Sequence, residues 1–228
     1  MDASDLPFQV RDRAAYLPRA DALVLADLHL GRGEAAEVAL PLTGSVVERL
    51  RKLVERFAPS TVVLAGDVVH SFSHVSTAVE ASFDALRASV GDAEFHVVAG
   101  NHDRRIAEVC NSTDAYHLAD GTLVCHGHEA PDADADRYVV GHDHPAIVIE
   151  GKRRPCYLYA EAVYRDAAVL ALPAFNPLAR GTAVNRLRRD DPSSPLLADV
   201  RAFSPVVWDE AADEALVFPP LSSSGRYL

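Results

Sequence analysis

Asp27-Leu28-His29, reached at the end of the apolar run Ala22 to Ala26, sets a pattern that the rest of the chain repeats. The later fragments are Gly66-Asp67-Val68-Val69-His70, Gly100-Asn101-His102-Asp103, Cys125-His126-Gly127-His128-Glu129 and Gly141-His142-Asp143-His144. Short β-branched or apolar runs precede them, Thr61 to Ala65, Phe95 to Ala99, Thr122 to Val124 and Tyr138 to Val140, and read as strands. Each metal-competent side chain therefore stands where a strand gives way to a loop. In an open α/β sheet the loops leaving the carboxyl ends of neighbouring strands converge on one crevice, so the fragments are expected to form a single site.

With 228 residues and 49% hydrophobic content, the chain is long and apolar enough for one domain with a sizeable core. That domain is expected over residues 1–185, with its motif core at 22–145 and a peripheral extension at 186–228 packed on it. The 33 acidic and 22 basic residues give a net charge of −11, and every basic residue except Lys52 and Lys152 is Arg. Such a surface holds water and counterions, and salt screens its self-repulsion. This points to a halophilic host, with a mildly acidic mesophilic protein as the plainer alternative. Cys110, Cys125 and Cys156 are odd in number and lack CxxC spacing, which indicates neither a disulfide framework nor a structural zinc site. Met1-Asp2-Ala3-Ser4-Asp5 has no basic start or apolar core of a signal peptide, and no apolar run approaches the ~20 residues of a membrane span. A cytoplasmic protein without a membrane partner is expected.

In chain order, Phe8 to Val10 and Ala14 to Leu17 read as a hairpin turned by Arg11-Asp12-Arg13. Thr43 or Ser45 is placed to cap a helix running to Phe57, with Val46, Val47, Leu50, Leu53, Val54 and Phe57 as its apolar stripe and Pro59 ending it. A second helix, Ser76 to Val90, turns Val79, Phe83, Leu86 and Val90 inward. After residue 110 the runs shorten: Tyr116 to Leu118, Ala146 to Ile149, Cys156 to Tyr159 and Ala167 to Leu172 add to the strands already named. Arg188 to Pro195 reads as a surface excursion, and Val206-Val207-Trp208 with Ala215 to Phe218 as a peripheral hairpin before a loose Ser222 to Gly225 end. A βα first half and a strand-rich second half imply an α/β (α+β) fold, a four-layer α-β-β-α sandwich of two packed mixed sheets.

Mixed Asp, His and Asn donors suit manganese, iron or zinc better than calcium. Asp27 and His29 stand two residues apart, His142 and His144 repeat that spacing, and two such pairs suggest two ions. Asp67, directly after Gly66 at a strand end, is the natural shared carboxylate. Ions ~3.5–4 Å apart activate a shared water and clamp phosphoryl oxygens, so the set points to phosphoester hydrolysis.

DxH, GDxxH, GNHD, HGH and GHxH, in this order over residues 22–145, resemble the calcineurin-like metallophosphoesterase superfamily. The His that closes GDxxH is similar to the SbcD-type nuclease branch. Pro145, Pro155-Cys156, Leu172 to Pro177 and Gly181 resemble the small archaeal SbcD-related phosphoesterases and the bacterial ligase-associated repair phosphoesterase. The resemblance implies one metal held by Asp27, His29, Asp67 and His144, and a second by Asp67, Asn101, His126 and His142. It implies His102 as the imidazole, itself no ligand, that protonates the leaving group or steadies the transition state, with Asp103 orienting it. His70 stands where many members have Asp, and either supports a ligand or contacts phosphate. His128 and Glu129 are expected to support their loop, whereas His74, His96 and His117 fall in no motif and read as structural or solvated.

The activity so implied is hydrolysis of phosphodiesters at DNA or RNA ends, flaps or gaps in repair, with two divalent ions as cofactors and manganese ahead of zinc or iron. A hydrolase of small nucleotides or phosphomonoesters is the alternative within the same chemistry. A metal-free binding scaffold is the alternative from another class, and the intact ligand set argues against it. Arg104-Arg105, Lys152-Arg153-Arg154 and Arg186 to Arg189 either touch a nucleic-acid backbone or are solvated turns. With no separate capping or DNA-binding segment recognisable, repair partner proteins are expected to supply positioning, and the oligomeric state is left open. If the −11 charge reflects life in salt, the Tm rises as potassium chloride goes from about 0.1 M to about 2 M. A calorimetric scan that stays flat or falls overturns the halophilic reading.

Overall fold

A computed structural model describes residues 2–31, 39–70, 75–187 and 194–223. The first half contains β1 (Gln9–Arg11), β2 (Ala14–Leu17), β3 (Ala22–Leu25), α1 (Ala39–Phe57), β4 (Thr61–Ala65), α2 (Thr77–Ser89) and β5 (Glu94–Val98). The second half contains β6 (Ala115–His117), β7 (Thr122–Cys125), β8 (Arg137–Val140), β9 (Pro145–Ile149), β10 (Lys152–Pro155) and β11 (Tyr157–Tyr164). It continues with β12 (Ala167–Ala171), β13 (Thr182–Ala183), β14 (Ser204–Asp209) and β15 (Glu214–Val217).

One sheet runs β1-β2-β3-β4-β5, another β15-β14-β11-β12-β8-β7-β6, and β10-β9-β13 form a small third. In the first, β3, β4 and β5 are parallel; in the second, β7, β8 and β12 are parallel. All candidate ligands follow the carboxyl ends of these parallel strands. The sheets pack through Val24, Ala26, Val63, Ala65 and Val98 on one side and Val124, Val139, Tyr157, Leu170 and Leu172 on the other. Strand alternation turns the remaining residues of the first sheet, Leu23, Leu25, Val62, Leu64 and Val97, toward the helices.

α2 forms where its sequence predicts. Ser76 caps it by accepting from Val79 N at 3.2 Å, and Val79, Phe83 and Leu86 are its buried stripe. Phe83 meets Phe95 edge-on, with ring centroids 5.8 Å apart. α1 starts earlier than expected, at Ala39, so Thr43 and Ser45 lie inside it rather than capping it. Pro41 falls in its first turn, where the absent N–H leaves no intrahelical bond unmade.

The mixed α+β architecture of packed sheets is the one expected, and among the described residues the layer outside the second sheet is built from short elements. Ile147 of β9, Val184, Leu196, Leu197 and Phe203 cover its outer face from the small sheet and from short 3-10 turns. Lys152 to Arg154 form an exposed edge strand, not a turn. The expected surface excursion ends at a buried Ser194, while the C-terminal hairpin forms as β14 and β15 and extends the second sheet. His74, Arg188, Arg189, Ser224 and Gly225 lie outside the described residues. No helix among the described residues is long and apolar enough to cross a membrane.

Tyr157 ties the two sheets directly: its buried hydroxyl donates to Ala14 O at 2.9 Å. Tyr157→Phe keeps the ring and removes that bond, and is expected to lower stability by about 1–2 kcal/mol. The corresponding fall in Tm is several degrees, read by thermal circular dichroism; an unchanged Tm means that the bond contributes nothing net.

Candidate metal centre

Leu28 is wholly buried in the helix-side core, so Asp27 and His29 on either side of it turn toward the crevice. Asp27 and His29 have φ of 59° and 46°, His142 and His144 of 70° and 46°, and Asp67 of 51°. The left-handed region costs an L-residue about 1–2 kcal/mol, and here the cost recurs at five candidate ligands. Backbone hydrogen bonds between loops hold the strained turns: Asp27 N to Gly66 O at 3.0 Å, His29 N to Asp67 O at 2.8 Å and Leu30 N to Val68 O at 2.8 Å.

Asp27, His29, Asp67 and His144 present one ligand atom each, all within 4.8 Å of one another. His29 Nε2 faces His144 Nε2 at 3.3 Å, and His144 Nε2 is 3.1 Å from Asp27 Oδ1. His29 Nδ1 is buried without a hydrogen-bond partner among the described residues. Nitrogen lone pairs converging beside two carboxylates fit a divalent transition metal, which satisfies both rings at once. The expected second group is also brought together. His126 Nε2 lies 3.0 Å from Asn101 Oδ1 and 3.5 Å from Asp67 Oδ1, and the His142 ring stands 5.1 Å from the His126 ring. Asp67 borders both groups.

Burial holds the His29 and His142 imidazoles down to about 4, so both are neutral donors at ordinary pH. His126 moves the other way, to about 9: burial pulls it down, but the Asp67 hydrogen bond and the charges of Asp27 and Asp67 prevail. Burial opposes ionisation of Asp67 too, yet His126 and the His102 amide hold it well below the usual carboxylate range. Burial and the charge of Asp27 act against each other at His144, whose net movement is upward.

His102 sits at the lip. Its amide donates to Asp67 Oδ1 at 2.9 Å, its Nε2 is 4.0 Å from Asp67 Oδ2, and its side chain is 38% exposed against 3% for His29. Asp103 is buried and accepts from Val68 N, Val69 N and Gly100 N at 3.1, 2.8 and 2.9 Å, so it ties the turn that carries His102 to the strand end that carries Asp67. The His70 ring lies 5.4 Å from His29 and 5.8 Å from His102, at the edge of the first group. His128 lies 5.3 Å from the His126 ring, with Glu129 exposed beyond it. His96 stacks on Tyr116 at 3.9 Å, away from the ligands and in keeping with a structural part.

Several supporting residues escaped sequence reasoning. Asn176 Nδ2 donates to Leu28 O at 2.8 Å, and Arg13 and Arg49 donate to the carbonyls of Ala174, Phe175 and Asn176 behind it. Asp143, between two ligand candidates, accepts from Ser194 N at 3.0 Å. A Cβ on Gly66 would enter the His126 ring, on Gly100 the Asp67 carboxylate, and on Gly141 would meet Asp27 Oδ2 at 2.8 Å. The signal for these glycines was present, since each stands directly before or beside a ligand. Asn176 stands in the Leu172 to Pro177 stretch that carries part of the family resemblance, whereas nothing local marks Arg13.

Buried imidazoles and carboxylates on converging strand ends define a metallohydrolase-type centre. The chain belongs to the calcineurin-like phosphoesterase family, whose model matches residues 21–140. Among solved structures it resembles the nuclease MPE of Pseudomonas putida, at 23% identity and TM-score 0.63 over 86% of this chain and 88% of that one. Yfce, a phosphoesterase from E. coli, aligns at 13% identity and TM-score 0.47, over 88% of this chain and 98% of its own. No curated protein sequence matches the chain.

Gly100 and Gly91 separate steric from conformational demands. Gly100→Ala collides with Asp67, and is expected to lower manganese bound after dialysis while far-ultraviolet circular dichroism stays near native. Gly91 has φ +63° and open space around it, so Gly91→Ala is expected to keep its metal and lose about 1 kcal/mol of stability. Equal metal content in the two variants, by elemental analysis, counts against the site.

Proposed function

We propose that the protein is a two-metal phosphodiesterase acting on nucleic-acid ends or gaps in DNA repair. The observation that carries this reading is the first ligand group, Asp27, His29, Asp67 and His144, with Asp67 shared toward Asn101, His126 and His142 and an exposed His102 beside it. These residues would hold two divalent ions, manganese first and zinc or iron as alternatives. When bound, the ions supply an activated water and neutralise phosphoryl oxygens.

The chain's own groups do the rest. His102, open to solvent and fixed through its amide to Asp67, donates a proton to the departing oxygen. Asp103 holds the turn that aims it. His70, at the rim of the first group, is positioned to contact phosphate or steady His29. The nucleic-acid part of the reading draws on fold analogy with the Pseudomonas putida nuclease. The net charge of −11 favours the second reading, a hydrolase of small nucleotides or phosphomonoesters. The same acidity, with so little Lys, supports a high-salt cytoplasm as the setting.

The test compares leaving groups. An alkoxide leaving a natural diester needs a proton as the bond breaks, whereas 4-nitrophenolate leaves readily without one. General acid help is worth ~10²–10⁴ in rate, so His102→Ala is expected to slow cleavage of a single-stranded oligonucleotide by about that factor. Hydrolysis of bis(4-nitrophenyl) phosphate should fall much less, with metal content preserved. Equal slowing on both substrates removes His102 as the acid; loss of metal makes it a ligand. Turnover by the unaltered protein of phosphomonoesters alone sinks the phosphodiesterase reading.

A further inference from the structure

The loop between β12 and β13 bridges both halves of the first ligand group. At its start Phe175 N donates to Ala26 O at 2.8 Å and Asn176 Nδ2 to Leu28 O at 2.8 Å. At its end Thr182 N donates to His144 O at 2.9 Å, and Gly181 lies so near that a Cβ on it would meet that carbonyl at 2.5 Å. Between the anchors the chain turns on itself, with Leu178 N on Asn176 Oδ1 at 2.9 Å and Ala179 N on Asn176 O at 3.1 Å. Ala179 is buried, while Leu178 and Arg180 on either side of it are exposed.

The exposed apolar side chain is unusual here, and it stands beside a cation. Leu178, at 41% exposure, and Leu216, on the edge strand β15, are the large hydrophobic residues left open among those described. Arg180 is exposed and, like Arg153, has no carboxylate partner among the described residues, so its charge is open to an anion. Arg153 brings a second guanidinium from β10, its Nη1 on Gly181 O at 2.7 Å. The turn is also stiff, because Arg13 and Arg49 take the three carbonyls that precede it.

A stiff turn on the ligand loops that shows solvent an apolar side chain beside cations suits a polymer with a base face next to a phosphate. A mononucleotide or simple phosphomonoester has no adjoining nucleotide to meet it. We infer that Leu178, Arg180 and Arg153 form a gripping lip that holds the nucleotide adjoining the scissile phosphate, Leu178 packing on its base and the guanidiniums on its phosphates. This rests on the nucleic-acid reading above.

The test uses the full chain loaded with manganese, a fluorescent single-stranded oligonucleotide and bis(4-nitrophenyl) phosphate. Arg180→Ala is expected to lower the ratio of kcat/KM for oligonucleotide over small diester about tenfold, and to reduce the salt slope of oligonucleotide binding by about 1. Leu178→Ala should lower the same ratio by about five- to tenfold with the salt slope unaltered. Arg180→Lys should restore the slope, which a merely structural role would not predict. Anisotropy with the metal-free protein reads binding apart from turnover. An unchanged ratio and slope in both alanine variants overturns the lip alone. If the unaltered protein hydrolyses the small diester yet neither binds nor cleaves the oligonucleotide, the nucleic-acid reading falls and the lip with it.

Discussion

Three backbone amides converge on the buried carboxylate of Asp103, and the shape of the metal centre depends on that convergence. Two of them belong to Val68 and Val69, directly after Asp67, and the third to Gly100, directly before Asn101. One side chain thus fixes the distance between the strand end that carries the shared carboxylate and the turn that carries Asn101 and His102. A carboxylate hydrogen-bonded by several amides forms charge-assisted bonds stronger than neutral ones, which helps it bear its burial. Removing it leaves buried amides unanswered on two loops at once.

The second dependency runs behind Asp27. Left-handed turns at Asp27, His29 and Asp67 are not the local preference of those residues, so the surroundings must impose them. They do so from two directions: the Gly66 to Val68 carbonyls accept from one side of the Asp27 to Leu30 backbone, and Phe175 and Asn176 bond its other side. Arg13 and Arg49 then stiffen residues 174–176, and Arg49 is itself paired with Asp12 at 3.1 Å. The ligands are therefore held by a scaffold two shells deep, with cations from the N-terminal hairpin and α1 at its base.

Much of this was legible in sequence because strand ends announce themselves. Apolar runs halting at Asp27, Asp67, Asn101, His126 and His142 gave the strands to within a residue or two, while the division of their side chains into two ligand groups came from the family resemblance. The part played by Arg13 was not legible, nor was the bond made by Asn176 from within its recognisable stretch. Their meaning lies in partners 163 and 148 positions away, and nothing in the neighbouring sequence announces a carbonyl waiting there. The start of α1 was misplaced because Thr43 and Ser45 offered good caps, while a proline in the first turn is equally permitted. Short 3-10 turns, one of them opening at Pro195, help close the outer face of the second sheet among the described residues.

The reach of Arg13 sets an order of events during synthesis. Its guanidinium is half-buried and its acceptors, the carbonyls of Ala174 and Asn176, are translated long after it. A nascent chain that has emerged only through β5 carries Asp27, His29 and Asp67, yet lacks His126, His142 and His144 and the Phe175 and Asn176 donors that brace the Asp27 turn. The candidate metal centre is therefore completed late in synthesis, its bracing in place only once residue 176 has left the ribosome.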